Sequence, residues 1–143
     1  MKRRLLRIFT WRERLAFAKK NSALILLKMS VDESDSRLAR LDWTKKERLD
    51  VVQAIYETGI RIPSICFSGH RRYPLGSNDP KTEATSLEMM KKCIELAQDL
   101  GVRTIQLAGY DVYYEEKVPR NTRSFLSKIS GKLVIGLKKL KLF

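Results

Sequence analysis

The sequence is poor in the residues that build metal centres and nucleotide loops. One histidine, His70, and two cysteines occur in 143 residues. Cys66 and Cys93 form neither a CxxC pair nor a metal-spaced cluster, which argues against a zinc ribbon or a redox dithiol and leaves two reduced, packed thiols. Neither GxGxxG nor GxxxxGK(S/T) is present, so nucleotide binding through those loops has no support. Long apolar runs are absent too. The best, Ala23 to Leu27, falls far short of the roughly 18 residues that a membrane-spanning helix requires. The opening Met1-Lys2-Arg3-Arg4-Leu5-Leu6 has the charged start of a signal peptide, but Arg7, Arg12, Glu13 and Arg14 interrupt what would follow. An apolar stretch of about 7–15 residues would be needed there. The expected location is the cytoplasm.

Acidic residues are missing from both ends. Residues 1–28 hold nine Lys/Arg and one acid, Glu13, and residues 118–143 hold seven Lys/Arg and none. Residues 29–117 carry thirteen Lys/Arg against fifteen acids. The net +13 would ordinarily point to nucleic acid or an anionic surface, yet it is confined to two basic ends on a slightly acidic middle. No specific nucleic acid and no membrane is expected as a partner. A small basic nucleic-acid-binding protein, resting on the Lys138-Lys139-Leu140-Lys141 run, is an alternative that no known nucleic-acid module supports.

The middle alternates strand and helix patterns. Thr10-Trp11-Arg12-Glu13 and Thr44-Lys45-Lys46-Glu47 are capping boxes, in which the Thr side chain accepts a backbone N–H and the Glu reaches back. The first opens a short helix to about Lys20. The second opens a helix with Leu49, Val52, Ile55 and Tyr56 on its apolar face, closed by Gly59. Asp79-Pro80 opens a third, with Leu87, Met90, Ile94 and Ala97 inward and Gly101 at its end. Strands are expected over Ala23 to Met29, Ile60 to Phe67 and Val102 to Leu107. Pro63 weighs against a central place for the second. Strand–helix–strand crossovers make parallel sheets, and both the doubly wound sheet and the barrel place function in the loops after the strands.

Three such loops follow: 29–35, 68–77 and 108–114. They carry acids, one His, two Arg and four Tyr, a set suited to a phosphorylated polyol. Asp32, Glu33 and Asp35 also fit as helix caps or solvated acids. A lone loop His is more often neither ligand nor base. Of Arg71 and Arg72, neighbours that face different ways, at most one reaches a phosphate. Tyr113 and Tyr114 divide between packing and solvent.

Three stretches carry a family resemblance: Met29-Ser30-Val31-Asp32-Glu33 through Arg37-Leu38-Ala39-Arg40-Leu41-Asp42-Trp43; Pro63-Ser64-Ile65-Cys66 through His70-Arg71-Arg72-Tyr73-Pro74-Leu75-Gly76-Ser77; and Ile105-Gln106-Leu107-Ala108-Gly109-Tyr110-Asp111-Val112-Tyr113-Tyr114. Together they resemble bacterial L-ribulose-5-phosphate 3-epimerases, also called L-xylulose-5-phosphate 3-epimerases, of L-ascorbate utilisation, in the xylose-isomerase-like TIM barrel superfamily. The likeness covers 10–20 and 29–117, while 1–8, 21–28 and 118–143 are atypical. It implies an α/β fold, a partial (β/α)8 TIM barrel of about three parallel strands (the second to fourth of the barrel) with flanking helices, forming a single incomplete domain. A whole barrel takes about 250 residues.

The resemblance also implies a chemistry. A pentulose 5-phosphate is epimerised at C3 through an enediolate, with a divalent metal, typically zinc, polarising the carbonyl and two carboxylates moving the proton. The family's metal ligands (two Glu, one Asp and one His, the Glu pair doubling as acid and base) belong by its layout to strands five to eight, beyond residue 143. So the resemblance implies no catalytic residue, metal ligand or bound cofactor in this chain, and no activity for it alone. It leaves His70, Arg71, Gln106 and Tyr110 as substrate-binding residues. A hexulose-6-phosphate isomerase-like activity is the alternative within the superfamily.

The three atypical segments can be back-translated so that a shifted frame restores family-like acidic sequence, which predicts a frameshifted, truncated chain. A half-barrel exposes sheet edges, so dimerisation or aggregation is expected.

Overall fold

The computed structural model describes residues 10–21 and 25–107. Helix α1 spans Trp11–Asn21. Its capping box forms: the Thr10 hydroxyl accepts the Glu13 N–H at 3.3 Å, and Glu13 Oε2 accepts the Thr10 N–H at 2.7 Å. Strand β1 is Met29–Val31 and the short helix α2 is Asp35–Leu38, continued by a 3-10 turn over Ala39–Asp42. Helix α3, Lys45–Thr58, starts on the complete Thr44/Glu47 capping box and stops at Gly59, whose φ of 72° is left-handed, a conformation that glycine adopts without strain. Strand β2 is Ser64–Phe67. Helix α4, Pro80–Asp99, has Asp79 as its cap, accepting from the Lys81 and Thr82 N–H groups. Strand β3 is Thr104–Leu107.

Among the described residues the strands form one parallel sheet in the order β1-β2-β3 and four helices flank it, the expected partial α/β architecture. Two expectations need correction. The first strand is shorter than expected: Ala23 and Leu24 lie outside the described residues, the ladder begins at Met29, and among the described residues before it Leu26 bridges Arg61. Residues 27 and 28 lie opposite 62 to 64, so one extra residue, in the stretch that holds Pro63, separates the bridge from the ladder. Proline tolerates such a place because it has no N–H to donate. The buried face of α3 is also rotated in part from the expected one: Val52 and Ile55 stay packed against the core, but Leu49 and Tyr56 do not. Val51, Ala54 and Thr58 are buried, whereas Leu49 is 65% and Tyr56 85% exposed. Arg48 sets this rotation. Its guanidinium bonds the Leu41 and Trp43 carbonyls and Asp99, so the helix turns Arg48 toward α4 and Leu49 outward.

Alternation divides the sheet. Met29, Val31, Ile65 and Phe67 are fully buried and pack with Val51, Met89, Met90, Cys93, Leu96 and Ala97 of the helices. A second cluster, Leu15, Ala54 and Ile60, fixes α1 on α3, with the Arg12–Glu57 ion pair at 2.9 Å on its rim. Ser30, Ser64, Cys66, Thr104 and Gln106 occupy the opposite strand positions, none of them buried. The core therefore lies between sheet and helices, and the polar sheet face is left for the site.

Candidate substrate-binding face

The parallel register sets Ser30, Cys66 and Gln106 side by side across all three strands. Their side chains share the polar face because successive strand residues alternate. Lys28 Nζ donates to Gln106 Oε1 at 3.0 Å. From the other side, Arg37 Nη1 donates to Ser30 Oγ at 3.3 Å and also pairs with Asp32. The face is thus a row of small hydrogen-bonding groups flanked by two cations, an arrangement that can hold hydroxyls and an anionic group.

The loops at the carboxyl ends of β1 and β2 are tied to each other. Arg71 pairs with Glu33 at 3.1 Å, and Arg72 pairs with Asp35. Asp32 accepts the Ser34 N–H at 3.1 Å. Burial works against its charge, but the Ser34 hydrogen bonds and Arg37 outweigh that and hold its carboxyl below the usual range. All three acids after β1 are therefore engaged in ion pairs.

His70 lies in the 3-10 turn Gly69–Arg71 and is only 3% exposed. Its ring packs on Phe67 with centroids 4.4 Å apart, placing it between β2 and α4. Nε2 lies 3.2 Å from the Ser86 carbonyl. That carbonyl can only accept, so Nε2 carries the proton and Nδ1 holds a lone pair. Among the described residues, Nδ1 and Ser86 Oγ are both buried without a partner. Burial, opposed by the Ser86 bond, pushes the imidazole below its ordinary pKa. The turn can lie this close because residue 69 is glycine: a Cβ there would meet Leu38, Met89 and Phe67 side-chain atoms at 2.8–3.0 Å.

Of the residues expected at the substrate, Gln106 stands on the polar face, Arg71 is exposed at the rim and His70 lies beneath the rim. Tyr110, the rest of the third loop and the segments 1–8 and 118–143 lie outside the described residues. Lys28, Ser30, Arg37 and Cys66 were not anticipated as part of the face. For Lys28, Ser30 and Cys66 the signal is strand alternation, which for the first two becomes readable only once β1 is known to start at Met29; Arg37, on α2, joins the face through its bond to Ser30. Cys66 is half-buried and Cys93 buried, both free thiols, and burial pushes Cys93 up to about 12.

Comparison with known proteins follows the same lines. Residues 27–130 match the family described as xylose isomerase-like TIM barrel. Over 115 residues, 80% of the chain, it is 56% identical to the L-ribulose-5-phosphate 3-epimerase UlaE of Escherichia coli strain SMS-3-5. It is 55% identical over the same length to proteins of that name from Escherichia coli O1:K1 and Shigella boydii serotype 18. The chain spans about 40% of the length of these curated relatives.

Proposed function

The chain belongs to the xylose isomerase-like TIM barrel family, and from that premise we propose that it is a homologue of the sugar-phosphate epimerases that interconvert L-ribulose 5-phosphate and L-xylulose 5-phosphate at C3. The identity of 55–56% over 115 residues to proteins named for that reaction carries the reading. The polar row Ser30–Cys66–Gln106, flanked by Lys28 and Arg37, supports it, since a pentulose phosphate offers several hydroxyls and one anionic end. On the same grounds we place the protein in the cytoplasm and in L-ascorbate utilisation. No described helix is long and apolar enough to cross a membrane.

Epimerisation at C3 removes the proton next to the C2 carbonyl from one face and returns a proton to the other. It therefore needs two proton-transfer groups on opposite sides of the carbon and stabilisation of the enediolate oxygen. Among the described residues, Asp32, Glu33 and Asp35 are each paired with an arginine, and His70 is buried on the helix side. Nor do they fit the zinc that the resemblance implies: among the described residues no three His, Cys, Asp or Glu side chains group to hold a metal, and no step is assigned to one. We assign to these residues the substrate-side wall, Ser30, Cys66 and Gln106 with Lys28 and Arg37, and not the proton transfer. Arg71 stands at its rim.

The 143 residues alone are then expected to bind a pentulose 5-phosphate and leave it unchanged. Incubation with L-ribulose 5-phosphate and zinc in heavy water, followed by proton NMR, reads the C3 hydrogen directly. Its signal should persist at the rate of the buffer control. Loss above that rate would overturn the assignment and place an acid/base pair within this chain.

A further inference from the structure

We propose that the His70 imidazole is a pH latch, which in its neutral form seats the turn that ties the loops after β1 and β2 together. On protonation the ring leaves its seat and the turn opens, while sheet and helices stay folded. The inference needs no ligand and so stands apart from the epimerase reading. Three backbone bonds hold the turn. Ser68 N–H donates to the Val31 carbonyl at 2.9 Å, Arg71 N–H to that of Ser68 at 3.0 Å and Arg72 N–H to that of Gly69 at 3.0 Å. The two arginines after the ring cross to the neighbouring loop, Arg71 to Glu33 at 3.1 Å and Arg72 to Asp35. Both pairs are largely exposed, and exposed pairs add little stability by themselves. Gly69 and His70 are the buried residues of the turn, so the ring carries the attachment.

The seat suits one charge state. The ring packs on Phe67 and its Nε2 proton goes to the Ser86 carbonyl. Protonation adds a second N–H, at Nδ1, which has no partner among the described residues. A charged ring would then be buried with an unanswered donor, a costly state for any polar group. The ionisable groups on the elements around it do not answer it. Arg71 and Arg72 of its own turn are cations. On α2, Asp35 is paired with Arg72 and Arg37 with Asp32. On α4, Glu83 stands one turn before Ser86, and no bond joins it to the ring. Burial, opposed by the Ser86 bond, keeps the seated imidazole below its ordinary 6.5. An opened turn returns the ring to water and to that ordinary value. Above 6.5 neither state holds the proton and the turn stays shut. As pH falls through 6.5 the opened state gains the proton first, so opening is favoured until the lower seated value is reached. Opening the turn costs less than unfolding, because Met90, Cys93 and Leu96 stay packed on the sheet.

Amide hydrogen exchange of the full chain reads the turn separately from the core. Between pH 7.5 and 5.5 the protection of the Arg71 and Arg72 amides, corrected for the intrinsic rate, should fall several-fold, up to about tenfold. The Cys93 and Leu96 amides of α4 should keep theirs. His70→Leu, which cannot charge, should make the protection of the turn independent of pH. Glu83→Gln should leave the pH dependence as it is in the parent. Circular dichroism checks each fold. If His70→Leu does not fold, His70→Gln decides, since its amide can still donate to the Ser86 carbonyl. Constant turn protection in the parent, or the same loss in the folded His70 variants as in the parent, overturns the proposal. So does an equal loss at Cys93 and Leu96, which would make the event unfolding and not the release of a latch.

Discussion

Replacing Phe67 with alanine is expected to cost about 3–5 kcal/mol, the range for deleting a buried aromatic ring from a packed core. Phe67 is fully buried and is the largest of the fully buried side chains among the described residues. It ends β2, supports the His70 ring and lies where a Cβ on Gly69 would touch it. Its loss therefore undermines the turn that carries Arg71 as well as the core. Domains hold only about 5–15 kcal/mol in total, so the variant should sit near its unfolding midpoint in mild urea. Gln106→Ala, on the open face, should stay within about 0.5 kcal/mol of the parent. A loss below about 1 kcal/mol for Phe67→Ala would mean that the ring is not packed between sheet and helices.

Acid should destabilise the fold through His70. The folded imidazole titrates below its ordinary value of 6.5 because burial disfavours its charge. As pH falls through 6.5 the unfolded chain takes up the proton first, so stability complete above 6.5 drains away toward the lower folded value and is constant beneath it. One proton bound only in the unfolded state gives a slope of up to about 1.4 kcal/mol per pH unit. Asp32 acts in a lower window: its depressed folded pKa adds stability above 3.8 that is lost as pH falls below that value. His70→Leu removes the titrating group together with Nδ1, which has no partner among the described residues, and should flatten the urea midpoint just below pH 6.5 while leaving the Asp32 limb below 3.8. An unchanged slope in His70→Leu would assign the acid sensitivity to another group.

The parts of this fold legible in the sequence are those fixed by neighbours in the chain. Thr44 with Glu47, Thr10 with Glu13, and Asp79 before Pro80 each satisfy helix-end N–H groups within four residues, so type and boundary could both be read. What was not legible depends on partners far along the chain. The start of β1 is set by its register with Ile65 and by the extra residue in the stretch that holds Pro63, whereas the apolar run Ala23–Leu27 pointed earlier. The buried face of α3 is decided by Arg48 reaching Leu41, Trp43 and Asp99, not by where Leu49 and Tyr56 recur. The ion pairs between the first two loops join residues nearly forty positions apart. Likewise, a His in a polar loop gives no hint that Gly69 lets it lie between Phe67 and the Ser86 carbonyl.

The central claim is that the described residues form one wall of a sugar-phosphate site, with the row Ser30–Cys66–Gln106 toward the ligand and Cys93 in the core behind it. Thiol labelling by N-ethylmaleimide tests it directly, because reactivity requires an accessible thiolate. Cys66 should label at least about tenfold faster than Cys93, and saturating L-ribulose 5-phosphate should slow Cys66 alone. Equal labelling of the two thiols would contradict the assignment of the sheet faces, and a Cys66 rate indifferent to the sugar phosphate would contradict the placement of the ligand.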